Sequence, residues 1–216
     1  MTFCDHLASF EKVHAVMRAK WKHQQAVPFT WNARTDKRTC VAAYAPATRN
    51  SFRDNLNALA NIHDAFADHL IYTTDANLHF TFLKLTEFSE DPPTPPDGPL
   101  FESLVHQYLR PFSIVFTEII VTSDSILMVG VPDIPVNDIR QAFLLAHERN
   151  SPTVQQQDIC HATLVRFTRP LNNAERDSLA TLNRKLVGVV LRVSDLRLAV
   201  CDYAMLSDRN ETIYTL

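Results

Sequence analysis

The 216-residue chain contains three glycines, Gly98, Gly130 and Gly188, and no two of them lie near one another. A phosphate-cradling loop or a dinucleotide fingerprint needs two or three glycines within a few residues, because the backbone must turn tightly against phosphate. Both architectures are excluded, so any phosphate chemistry here falls to side chains. The apolar share of 46% is ample for a core, in one domain or in two small lobes sharing a cleft. No run approaches the ~20 apolar residues of a membrane span. Residues 1–10 lack the apolar centre of a signal peptide, so the expected compartment is the cytoplasm. A net charge of −3 argues against coating of long nucleic acid through counterion release, but allows a small ligand in a local pocket. Cys4, Cys40, Cys160 and Cys201 are far apart and form no CxxC pair. They read as reduced, structural thiols rather than a disulfide frame or a zinc site.

Periodicity organises the rest. Leu7, Phe10, Val13, Met17 and Trp21 recur at near-helical spacing, predicting a helix over Cys4–Gln25 on the outside of the main domain. With the irregular linker after it, this makes residues 1–38 an N-terminal extension. A strand at Thr39–Ala45 is closed by Pro46 and followed by a helix over Asn50–Phe66, then by strands near His69–Thr73 and Leu78–Thr86. Five prolines between Glu90 and Pro99 mark a surface loop. Next come a helix near Leu100–Leu109, strands at Phe112–Thr122 and Ser125–Val131, and a helix at Val136–Arg149. A strand at Asp158–Thr168, a helix at Asn173–Leu186, one long strand at Val189–Val200 and a short strand at Glu211–Leu216 finish the chain. This mixed order implies an α+β domain over residues 39–216, built as two similar lobes side by side.

Two His-x-Thr triplets stand out, His79–Thr81 and His161–Thr163, 82 residues apart and one in each half of the sequence. A single triplet reads as an ordinary strand with a core histidine. Here both lie in β-like runs, Leu78–Leu83 and Cys160–Val165. Alternation puts each His and Thr on one face, and Phe80 with Phe82, or Ala162 with Leu164, on the other. No other histidine is followed two positions on by Ser or Thr. Cleaving a phosphodiester in line needs a base on the attacking oxygen and an acid on the leaving oxygen. Two histidines can divide those tasks near neutral pH, and threonine hydroxyls can donate to non-bridging phosphate oxygens. Which histidine is base and which is acid is not legible in the sequence. The arrangement requires no metal and no cofactor.

These segments, together with the ending Val193-Ser194-Asp195-Leu196-Arg197-Leu198 through Tyr214, resemble the signature and closing strands of the 2H phosphoesterase superfamily. That group includes 2′-5′ RNA ligase-like proteins, plant cyclic phosphodiesterases and 2′,5′-oligoadenylate phosphodiesterases. The resemblance covers about Thr39 to Leu216. It implies two lobes, each with a mainly antiparallel sheet and helices on its outer face, facing a shared central cleft. It also implies a metal-independent phosphodiesterase with His79 and His161 catalytic and Thr81 and Thr163 on the phosphate. The expected substrate is a small nucleotide or short RNA end: a 2′,3′-cyclic phosphate or a 2′-5′-linked oligonucleotide. A monomer without membrane partners is expected.

Strand parity turns Lys84 and Arg166 away from the motif face unless a bulge intervenes. Among Trp31, Tyr44, Phe167 and Tyr203, the candidates to stack on a base are Tyr44 and Tyr203. Two other readings stand beside the first. One is a nucleotide- or RNA-binding module of the same fold without turnover. The other is a metal-dependent phosphohydrolase built on His63–Asp64 and Asp68–His69, which needs further His and Asp ligands.

Overall fold

The computed structural model describes residues 3–23, 37–47, 52, 68–71, 78–94, 97–122, 124–148, 159–175, 188–202 and 211–216. They form α1 (Phe3–His23), β1 (Thr39–Pro46), β2 (Leu70–Ile71), β3 (His79–Lys84), α2 (Gly98–Tyr108), β4 (Phe112–Val121) and β5 (Ser125–Pro132). After these come α3 (Val136–Glu148), β6 (Cys160–Arg166), β7 (Val189–Val193), β8 (Asp195–Asp202) and β9 (Glu211–Thr215). The helix expected over residues 50–66 and most of that over residues 173–186 lie outside the described residues. The α+β class is as the sequence implied, and the strands pair antiparallel. Among the described residues no helix is long and apolar enough to cross a membrane.

One sheet runs in the order β7-β4-β5-β6-β3-β1-β8-β9, with β2 pairing on β6. Two sets of four strands therefore meet at β6 and β3, the strands that carry the two His-x-Thr triplets. These sets are not the two halves of the sequence, because β8 and β9 return to β1 and β3. The single long strand expected over Val189–Val200 is in fact two, parted at Ser194: β7 pairs with β4 and β8 with β1. The buried phase marks the break, since Val189, Leu191 and Val193 are buried before it and Leu196 and Leu198 after it. Both stretches are apolar and β-branched, so composition alone ran them together. One residue spans about 3.8 Å, and the sheet must curl to bring β7 and β8 that close.

Helices α2 and α3 cover one face. Phe101, Leu104 and Val105 from α2 and Val136, Phe143 and Leu144 from α3 join Val41, Ala43, Phe80, Phe82, Leu83, Met128, Leu164 and Val165 in the main core. The ring pairs Phe82–Phe143 and Phe101–Phe143 meet edge-on at 5.4 and 5.3 Å, the geometry aromatic quadrupoles favour. Burying each such ring contributes roughly 1.5–3 kcal/mol, so this layer fixes the sheet. Asp97 starts α2 by accepting the amide of Leu100 at 3.1 Å, with Pro99 in the first turn.

The opposite face carries α1. Arg18 reaches both carboxylate oxygens of Glu118 on β4 at 2.6 Å, and His14 Nδ1 lies 3.2 Å from the same carboxylate. Met17 packs against Ile120, Leu127 and Val129. The N-terminal helix thus sits on the sheet over β4 and β5.

Candidate active site

Phe80 pairs with Ala162 where β3 and β6 run antiparallel. Carrying that register one residue each way sets His79 across from Thr163 and Thr81 across from His161. The motifs lie head to tail about a local two-fold through the Phe80–Ala162 pair. Both of these residues are fully buried in the main core, so by strand alternation all four motif side chains share the opposite face. His79 and Thr163 are buried, while Thr81 and His161 are half-buried.

Each motif strand is then broken at the same place. On β3, Tyr44 pairs with Thr81 and the adjoining Ala43 with Leu83, leaving Phe82 as an extra residue. On β6, Leu127 pairs with Thr163 and the adjoining Ile126 with Val165, leaving Leu164 as the extra one. A bulge of this kind reverses the parity of every residue beyond it on the strand. Lys84 pairs with Ala42, and Arg166 with Ser125, so both return to the motif face. Strict alternation, which would turn them away, fails for this reason. The sequence held a signal: Phe82-Leu83 and Leu164-Val165 break the alternation with two apolar neighbours, and all four enter the core.

Arg140, fully buried on α3, supports this arrangement from beneath. Its Nε donates to the carbonyl of Phe82 at 2.6 Å, and its terminal nitrogens to Thr81 O at 3.2 Å, Ile159 O at 3.2 Å and Asn137 Oδ1 at 3.0 Å. A bulge leaves ladder carbonyls without strand partners, and a five-donor guanidinium can satisfy several at once. One side chain so ties the β3 bulge to the entry of β6. Nothing in the sequence singles out Arg140, whose helical position resembles that of any surface arginine.

Tyr44 is 2% exposed. Its ring meets His79 edge-on at 5.6 Å, and its hydroxyl donates to Glu211, which also takes Arg197 at 2.9 Å. Tyr44 is thus buried against the His79 imidazole. Tyr203 and Trp31 lie outside the described residues, and Phe167 is buried against His69, their rings 5.3 Å apart.

Burial pushes the His161 imidazole down to about 3, and its neighbours Arg166, His79 and Arg140 push in the same direction against Asp124. Its Nδ1 is buried and meets no hydrogen-bond partner among the described residues. His161 is therefore held in its neutral form. Arg166 is held 3.3 Å from Asp124, whose other oxygen accepts from Thr122 and Ser125 at 2.6 and 2.8 Å.

The Asp68–His69 pair serves another end. Arg169 bridges Asp68 at 3.2 Å and Glu175 at 2.7 Å, and His69 Nε2 lies 3.4 Å from Glu175. Glu175 in turn forms a capping box with Asn172: each accepts the other's amide, at 2.6 and 2.9 Å. These groups staple the start of a helix to the segment before β2. His63 and Asp64 lie outside the described residues.

No family model matches the chain, and neither does any curated protein. Among solved structures it is similar to Usb1 of Kluyveromyces marxianus, with 10% identity and a TM-score of 0.41 over 84% of this chain and 99% of that one. The same protein with uridine monophosphate gives 10% identity and a TM-score of 0.42 over the same shares.

Proposed function

We propose that this chain is a phosphodiesterase that cleaves RNA-related phosphodiesters, a 2′,3′-cyclic phosphate or a 2′-5′ linkage, without a metal ion. The observation that carries the reading is the Phe80–Ala162 pairing, which sets two His-x-Thr motifs head to tail on one face. The two four-strand sets are read as two lobes, and the motif face between them as the cleft.

A phosphate seated over that pair would meet a histidine on either side, the requirement of an in-line displacement. One histidine takes the proton of the attacking hydroxyl or water and the other returns a proton to the leaving oxygen. Thr81 and Thr163 donate to the non-bridging oxygens, and Arg166, on the same face, offsets their growing charge. These roles need only groups of the chain itself.

The test is turnover of nucleoside 2′,3′-cyclic phosphates, 2′-5′ oligoadenylate and 3′-5′ RNA by the full chain with excess EDTA. Cleavage of one class under chelation supports the reading. No cleavage, or cleavage abolished by chelator alone, overturns it in favour of binding or of metal chemistry.

A further inference from the structure

The paired bulges place a cation at the same offset beyond each motif, Lys84 after His79 and Arg166 after His161, both turned back to the motif face. The Lys84 end has features the catalytic reading leaves unused. Lys84 pairs with Ala42 two rungs beyond the Tyr44–Thr81 pair, about 6.6 Å along the strand at 3.3 Å per residue. Its side chain is 13% exposed, and its ammonium lies 2.9 Å from Glu87 Oε2 and 5.3 Å from the centre of the Phe88 ring. Phe88 packs on an apolar floor of Cys40, Ala42, Tyr44, Ala199 and Cys201. The floor thus extends from Tyr44, the neighbour of His79, to the place where Lys84 sits.

An i,i+3 pair whose carboxylate is 41% exposed contributes little to stability. A lysine ammonium offers three donors and is a good point-charge partner for phosphate. Glu87 and Phe88 fix it in place, and Glu87 sits at the solvent side, where it can give way to a stronger anion.

We propose that Lys84 is a second phosphate site, one nucleotide step along β3 from the His79–Thr81 pair, with Phe88 beside it. The substrate is then an oligonucleotide end that carries a phosphate beyond the scissile one, rather than a free mononucleotide. This rests on the phosphodiesterase reading for its chemistry, though not for its binding.

The experiment compares wild type, K84M and K84R on a trinucleotide ending in a 2′,3′-cyclic phosphate and on the mononucleoside 2′,3′-cyclic phosphate. Methionine keeps an unbranched apolar stem on the floor, and a thermal melt verifies folding. Wild type is expected to prefer the trinucleotide, and K84M to lose about tenfold more kcat/KM on it than on the mononucleotide, the scale of one charged contact. K84R is expected to recover much of that loss. An equal loss on both substrates, or none, overturns the proposal. If wild type turns over neither, the catalytic reading has failed, and fluorescence anisotropy with a labelled trinucleotide decides the site separately. There, weaker binding by K84M with the salt slope reduced by about 0.7 upholds it, and unchanged binding overturns it.

Discussion

Arg140 donates from its Nε to the carbonyl of Phe82 at 2.6 Å, so a fully buried charge on α3 holds the extra residue of the β3 bulge. Arg140→Met removes that bond and those to Thr81 and Ile159, leaving buried carbonyls unsatisfied at about 1–3 kcal/mol each. The expected result is a stability lowered by several kcal/mol, read from the urea midpoint, with the denaturant slope unchanged. Arg140→Lys keeps the charge without the fork and should recover only part. A midpoint like wild type for Arg140→Met would show that the bulge holds itself.

Tyr44 touches His79 with its ring and Glu211 with its hydroxyl. Tyr44→Phe keeps the ring contact and frees the carboxylate, which still has Arg197, so stability should fall by only about 1 kcal/mol. Tyr44→Ala leaves a cavity beside His79 and should cost about 3–5 kcal/mol. Thermal melts of the two variants check the ordering, and equal losses would refute it.

Acid should act on this protein through His161. Its folded value of about 3 lies below the ordinary histidine value of about 6.5. Between the two the unfolded chain binds more protons, so stability rises with pH across that window and is lost as pH falls through it. Burial lowers His14 and His69 as well, which adds in the same direction. His161→Gln should therefore lose less stability between pH 7 and pH 4 than wild type does, as read from urea midpoints at both pH values. An equal loss would contradict the lowered folded value of His161.

Gly130 lies between β4 and β6, beside the Val129–His161 pair. A Cβ built there meets Val115 O at 2.7 Å and Ile114 Cγ2 at 2.9 Å, and a backbone oxygen cannot move aside cheaply. Gly130→Ala should destabilise by about 1–3 kcal/mol as an overpacked site. A melting temperature unchanged from wild type would mean that β4 shifts freely.

The motif strands were legible because Leu78–Leu83 and Cys160–Val165 alternate cleanly up to the threonines, and the α+β class came from the mixed order of elements. Past each threonine the doublets Phe82-Leu83 and Leu164-Val165 interrupt the alternation, but a bulge is a property of the partner strand: the pairing of Ala43 and Ile126 shows that Phe82 and Leu164 are the extra residues. The break at Ser194 was hidden for a similar reason. Both flanking stretches suit a strand, and only their partners, β4 and β1, tell them apart. Arg140 was not legible because its partners on β3 are carbonyls 58 and 59 residues away in sequence. Glu118 likewise joins α1 to the sheet across 100 residues.

The central claim is that His79 and His161 act as one unit. Its most direct test is kcat for His79→Ala, His161→Ala and the double variant on whichever substrate wild type cleaves under EDTA. The account predicts that each single variant loses about a thousandfold or more and that the double loses little beyond either, as for groups sharing one transition state. Activity surviving in either single variant, or losses that multiply in the double, would contradict it.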